Sequence, residues 1–235
     1  MKDEKIPPGL IRTPGGVYVL ESDSHLSRWI EEHGYLGIAS GEIELWRRHI
    51  PFGGVVVDAG ASLGDHADVY ATLVGPKGRV IAFEPNPLPF QALALNMANK
   101  ANVFTIHAAL SDHAGMVDMS LNLNAGMAHI SAASPTTVAV PCVTLDEQLA
   151  QCSRLDFIHL DVEGWESKAL KGGEQLIRKY KPAIVFEVNQ MCLDRVGETE
   201  AMMRDLIDNL GYSWNEIIDP SKGPYTQRDV LALPR

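Results

Sequence analysis

The sequence predicts a doubly wound α/β fold, a mostly parallel sheet with helices on both faces, and three observations predict it. An all-apolar, β-branched run from Val55 to Val57 leads into a glycine-bearing turn, DAGASLG, and then into a helix-like DHADVYATLV. A second apolar run, RVIAFEP, ends in a carboxylate, Glu84, twenty residues past Gly64. From Val55 onward, short strand-like runs alternate with stretches of helical period.

Residues 1 to 50 read as an N-terminal extension packing on the domain: IPPGLIRTPGGVYVL as coil and a hairpin, HLSRWIEEHGYL and GEIELWRRHI as helices. Residues 51 to 235 form the main domain. Its elements are strand 55 to 58, a helix to about 74, strand 79 to 84, helix 87 to 100 and strand 103 to 108. The rhythm breaks from 112 to 143, where MVDMSL and TTVAVPCV read as strands around NLNAGMAHISAAS, a candidate flap. A short helix from Leu145, the strand LDFIHLDV, a helix to Lys181 and the strand AIVFEV follow. A helix at 198 to 210 and strands near 213 to 218 and 229 to 232 close the chain.

A glycine turn after one strand, with an acid after the next, is how such folds hold an adenosine cofactor. Gly60 and Gly64 permit close backbone approach, Asp58 can accept from a ligand amine or loop amides, and Glu84 can accept both hydroxyls of a ribose. The plainer reading makes the glycines simple turn residues and Glu84 a solvated strand end. A dinucleotide fingerprint needs glycine where this chain has Ser62, so the pattern D-x-G-x-S-x-G favours S-adenosylmethionine, which carries no pyrophosphate.

Lys plus Arg number 20 against 30 Asp plus Glu, a net charge of -10 with no basic run, which argues against nucleic acid as the main partner. Cys142, Cys152 and Cys192 are too scattered for a disulfide framework or a C-x-x-C metal site. No signal-peptide core or stretch of about 18 apolar residues is present, so a cytoplasmic protein without a membrane partner is expected. Homo-oligomerisation is left open.

Ligands of open α/β sheets lie beyond the carboxyl ends of the strands. HLDVEG ends one strand with His159 and Asp161 on one face, Glu163 in the loop, and Glu187 ending the next strand. If those strands are neighbours, 161, 163 and 187 crowd one cleft and raise one another's pKa, one way to make a general base. In the alternative, Glu163 caps the helix beginning at Trp165 and Glu187 pairs with a basic neighbour. Such carboxylates and histidines could also bind Mg²⁺ or Mn²⁺, but spacing does not establish it and no metal ligand is assigned.

Six segments in order, VVVDAGASLGDH, RVIAFEPNP, AALSDHAG, VTLDE, HLDVEGWESKALKGG and KPAIVFEV, resemble the FkbM family of S-adenosylmethionine-dependent methyltransferases over about residues 53 to 190. The resemblance implies a class I methyltransferase, Rossmann-like fold, seven strands with the last antiparallel, and methyl transfer to a hydroxyl of a sugar or other small natural product. By position, Asp58, Gly60 and Gly64 would line the methionine end of the methyl donor, Glu84 would hold the ribose, and Asp112 would lie near the adenine, with Ser62, Asn86 and Ser111 joining the cofactor contacts. Asp161 and Glu163 would sit beside the transferred methyl.

His159 stands where the family more often has Lys. It could be the base a hydroxyl acceptor needs, or a packed strand residue. His129, in the flap, is either a second base or a solvated loop histidine. Trp29, Tyr35 and Trp46 could stack on a sugar ring or belong to the core. An N-methyltransferase, a nucleotide-dependent oxidoreductase or a non-catalytic adenosine-binding module are the alternatives on the same scaffold.

Overall fold

The computed structural model describes residues 6–23, 25–36, 40–120, 129–130, 137–217 and 227–235. The chain opens with an antiparallel hairpin, β1 (Leu10–Arg12) and β2 (Tyr18–Leu20), then α1 (Leu26–His33) and α2 (Ser40–Arg47). The alternating part runs β3 (Val55–Ala59), α3 (Asp65–Val74), β4 (Arg79–Phe83), α4 (Pro87–Met97) and β5 (Val103–Ile106). After the 109–143 region come α5 (Leu145–Gln148), β10 (Phe157–Leu160), α6 (Glu166–Gly172), α7 (Glu174–Tyr180) and β11 (Ala183–Asn189). The chain ends with α8 (Gln190–Val196), α9 (Glu200–Asn209), β12 (Tyr212–Ile217) and β13 (Gln227–Pro234).

Seven strands form one sheet in the order β12-β13-β11-β10-β3-β4-β5, all parallel except β13, which runs antiparallel to both neighbours. Alternation of side chains splits the core between the two faces. Val55, Val57, Ala59, Phe83 and Ile158 pack with Leu170, Ile177 and Ile207 on one side, whereas Val56, Val80, Ala82 and Phe157 pack with Tyr70, Val74 and Leu93 on the other. Each such fully buried side chain stabilises the fold by roughly 1.5–3 kcal/mol.

A single doubly wound sheet does not account for the whole chain. β6 (Ala109–Leu110), β7 (Gly115–Ser120), β8 (His129–Ile130) and β9 (Thr137–Val143) form a second, mixed sheet in the order β6-β9-β7-β8. It has its own small core, Met119 and Val140 backed by Val117 and Val138, which lets it leave the main sheet. Most of the expected flap tip, 121–128 and 131–136, lies outside the described residues.

Two helix expectations are also corrected. The run to Lys181 is two helices divided at Gly173, and the Gly172 before it is bare where a Cβ would lie 1.9 Å from the Ser111 carbonyl oxygen. α8 was not expected, and it is started by Asn189, whose side chain accepts the Met191 N–H at 3.1 Å.

The hairpin packs Leu10, Val19 and Leu20 on Leu63 and Ala92. Asn96 of α4 locks it there: its side-chain oxygen accepts the Tyr18 N–H at 2.7 Å, and its amide donates to the carbonyls of Tyr18 and Leu63, both at 2.9 Å. No described helix is long and apolar enough to cross a membrane.

Candidate active site

The turn after β3 and the loop after β10 meet at the carboxyl edge of the sheet. β3 and β10 pair in parallel, with His159 beside Asp58 and Leu160 beside Ala59. Gly60, at φ +81°, lets the chain pass the Asp161 carbonyl oxygen, which would lie 1.8 Å from any Cβ built there. Its N–H and that of Ala61 both donate to the Phe83 carbonyl, at 2.9 and 3.0 Å, so the turn is tied to β4 as well.

Ser62 and Glu163 hold left-handed backbone, φ +48° and +54°, unusual for residues with side chains, and both line the same cleft. Gly60, Glu84, Asp161 and Trp165 also line it, and the second sheet contributes Met119, His129 and Ile130 as the opposite wall.

Glu84 is buried, and its two oxygens accept backbone N–H groups, Oε2 from Ser62 at 2.8 Å and Oε1 from Asn86 at 2.7 Å. An ionised carboxylate offers about four acceptor sites, so one per oxygen remains for a ligand hydroxyl. Burial pushes Glu84 up to about 7, the two amides oppose the rise, and the charges of Asp161 and Asp58 add to it. Among the described residues, the Ser62 Oγ and the Trp165 Nε1 are buried without a hydrogen-bond partner. Two open polar atoms beside a carboxylate with spare acceptors fit a polar nucleoside such as the adenosine half of S-adenosylmethionine.

Asp161 and Glu163 are half-buried and both have raised pKa values, first because partial burial disfavours the charged form. For Asp161 the histidines 159 and 66 oppose the rise and Asp229 and Asp58 add to it; for Glu163 the Cys192 thiol opposes it and Asp161 adds to it. The Cys192 Sγ donates to the Glu163 Oε2 at 3.0 Å, and ligand atoms of Glu163, Glu187 and Cys192 lie within 4.8 Å of one another. Arg195 stands 3.7 Å from that sulfur, which already supplies a positive charge there. So 163 and 187 do converge, with a thiol between them that the spacing did not indicate.

Other candidates lie elsewhere. His159 is 7% exposed, forms no part of the cleft lining, and holds the Asp58 Oδ1 through Nδ1 at 2.9 Å. Gly64 faces Leu93 and Met97 of α4, and Asn86 contributes its main-chain N–H rather than its side chain. Asp112 is exposed and held by Lys168 at 3.0 Å and His113 at 2.9 Å, which keep it down at about 2 against the effect of burial. Ser111 is buried, its N–H on the Val143 carbonyl. Trp46 is a core residue packed on His66 and Tyr70, and Trp29 stacks on His33 at 4.1 Å.

Glu166 was missed. It is buried in the first turn of α6, and its Oε1 accepts the N–H groups of Val162 and Gly164 at 3.3 and 3.2 Å, which fixes the loop carrying Glu163. Burial pushes it up to about 8, against the pull of those amides. The signal is an acid in the first turn of the helix, and the sequence reading weighs only Glu163, as the alternative to a functional role, for capping.

Comparison with known proteins agrees with this geometry. The chain is 26% identical over 134 residues to the hexuronic acid methyltransferase AglP of Haloferax volcanii, a match over 56% of this chain and 54% of that protein, so it spans about half the length of this curated relative. The crystal structure of a methyltransferase FkbM from Methylobacillus flagellatus superposes with a TM-score of 0.54 at 18% identity, over 77% of this chain and 43% of that one. Aeropyrum pernix fibrillarin, solved with natively bound S-adenosyl-L-methionine, gives 0.51 at 13% identity over 99% of this chain and 85% of that one. These solved structures share the fold. Residues 58–214 match the methyltransferase FkbM domain, so the chain belongs to the FkbM methyltransferase family and its cofactor is S-adenosylmethionine.

Proposed function

We propose that the protein moves the methyl group of S-adenosylmethionine to a hydroxyl oxygen of a sugar or similar small hydroxylated molecule. The observation that supports this best is that Asp161 and Glu163, both with raised pKa values, line the same cleft as Glu84 and Ser62. When bound, S-adenosylmethionine supplies an electrophilic methyl group on a sulfonium.

The chain's own residues do the rest. Glu84 accepts the ribose hydroxyls, and the Ser62 hydroxyl and Trp165 indole offer further polar contacts. A sugar hydroxyl is a poor nucleophile, so a base must take its proton as the carbon–oxygen bond forms. Asp161 is our candidate, with Glu163 and Glu187 orienting the acceptor and His129 facing them from the second sheet. His159 is not, because it is sealed beneath the cleft. The hexuronic acid in the name of the Haloferax volcanii relative supports a carbohydrate here, and a net charge of -10 with acidic side chains at the cleft disfavours a nucleic-acid backbone.

The test is calorimetry of S-adenosylhomocysteine on the wild type and Glu84→Ala, followed by transfer of a labelled methyl group to a panel of neutral sugars and NMR of the product. Binding weakened in the variant and an O-methyl resonance are expected. A folded wild type that does not bind, or a methyl group found on nitrogen, sinks the reading.

A further inference from the structure

We propose that His159 is a positioning residue of the methyl-donor site: its imidazole takes up the Asp58 Oδ1 and leaves Oδ2, buried and unpartnered just beneath the cleft-lining Gly60, to receive the amino-acid end of S-adenosylmethionine. This rests on the cofactor reading above and extends it to a residue that touches no substrate.

Asp58 and His159 are register partners on the adjacent parallel strands β3 and β10, so both side chains leave the same face of the sheet at the same level. Both are buried, and the His159 Nδ1 lies 2.9 Å from the Asp58 Oδ1. The Asp58 Oδ2 is buried with no hydrogen-bond partner among the described residues. A buried carboxylate oxygen without a partner costs free energy unless something donates to it, and a cofactor ammonium is a chemically matched donor.

The imidazole has little freedom to do anything else. His66 packs against it at a tilt of 49° with ring centroids 4.5 Å apart, and Tyr70 and Trp46 lie on other sides at 5.8 and 5.9 Å. Asp58 on β3, His66 on α3, Asp161 after β10 and Asp229 on β13 are the titratable groups around it, with Asp65 beside His66. Three aspartates facing one histidine raise its pKa despite burial, which favours the charged imidazole as the hydrogen-bond partner of Asp58.

Two ligands separate positioning from general support of the fold. S-adenosylhomocysteine carries the amino-acid end, and 5′-methylthioadenosine lacks it while keeping the adenosine and the sulfur. Calorimetry of both on the wild type, His159→Leu and His159→Asn should show S-adenosylhomocysteine weakened about tenfold or more in His159→Leu, the scale of one charge-assisted hydrogen bond. 5′-Methylthioadenosine should bind within about twofold of wild type, and His159→Asn, whose amide can replace the Nδ1 donor, should recover most of the loss. If His159→Leu does not fold, Asp58→Asn carries the same comparison, with loss of the first ligand only. Equal loss of both ligands, loss of neither, or no recovery by Asn overturns the proposal. A wild type that binds neither ligand would instead overturn the cofactor reading.

Discussion

The position a Cβ would take on Gly60 lies 1.8 Å from the carbonyl oxygen of Asp161, so the turn after β3 and the loop after β10 touch backbone to backbone. This contact is what puts Ser62 and Glu84 beside Asp161 and Glu163 in one cleft. No side chain can relieve it by rotating, because the obstacle is main chain.

Gly60→Ala should therefore fail on two counts, the clash and a φ of +81° that alanine resists. Chemical denaturation should show a loss on the order of 3 kcal/mol or more. S-adenosylhomocysteine binding should fall even under conditions where the variant is folded. Gly64→Ala shares the backbone strain, at φ +97°, but meets only the flexible side-chain ends of Met97 and Leu93 and should lose less stability. Equal losses would mean that the approach of Gly60 to Asp161 is not what makes this turn exacting.

Glu84 gives the fold a pH dependence of a definite sign. An ordinary glutamate titrates near 4.5 and Glu84 near 7, so between these values the folded state holds a proton that the unfolded chain has lost. Stability then falls as pH rises through this window, by about 3 kcal/mol once Glu84 is ionised. Glu84→Gln removes the buried charge and should flatten that part of the stability profile between pH 5 and 8, while weakening S-adenosylhomocysteine binding. Denaturation midpoints at several pH values decide it, and an unchanged slope in the variant would contradict the assignment.

Glu166→Ala should release the loop that presents Glu163, costing about 2 kcal/mol because two backbone N–H groups lose their acceptor. Methyl transfer should drop with it, since Glu163 sits in left-handed backbone between the two N–H groups that Glu166 holds. Glu166→Gln keeps a carbonyl acceptor and should retain most of both. Thermal melts and turnover of the two variants check this, and identical losses in Ala and Gln would mean that the hydrogen bonds are not the cause.

The main sheet was legible because its signals are local: β-branched runs such as Val55 to Val57, glycine at the turn, and an acid after the next strand. The convergence of Glu163 and Glu187 was legible from strand-end reasoning once β10 and β11 were taken as neighbours. The fate of His159 was not, because period two says which face a side chain shares and nothing about Trp46, which arrives from α2 to seal it. Glu166 was hidden for a related reason. Two acids three residues apart can each cap a loop, and only the buried packing of α6 decides between them. The two longer strands of the second sheet, β7 and β9, were legible as MVDMSL and TTVAVPCV; their separation from the main sheet was not, because the core that holds them is only Met119 and Val140 with two neighbours.

Asp161 should set the pH dependence of turnover. A general base works when deprotonated, and the Asp161 pKa is raised by burial, with Asp229 and Asp58 adding to the effect and His159 and His66 opposing it. The rising limb of kcat/KM with pH should therefore lie above the range of an ordinary carboxylate and level off at higher pH. Asp161→Asn should lower turnover about a hundredfold more than it lowers S-adenosylhomocysteine affinity, because the amide fills the same space without accepting the proton. A pH-independent rate with a neutral acceptor, or a variant that keeps wild-type turnover, would remove Asp161 from the base role and leave Glu163 as the cleft carboxylate to test next.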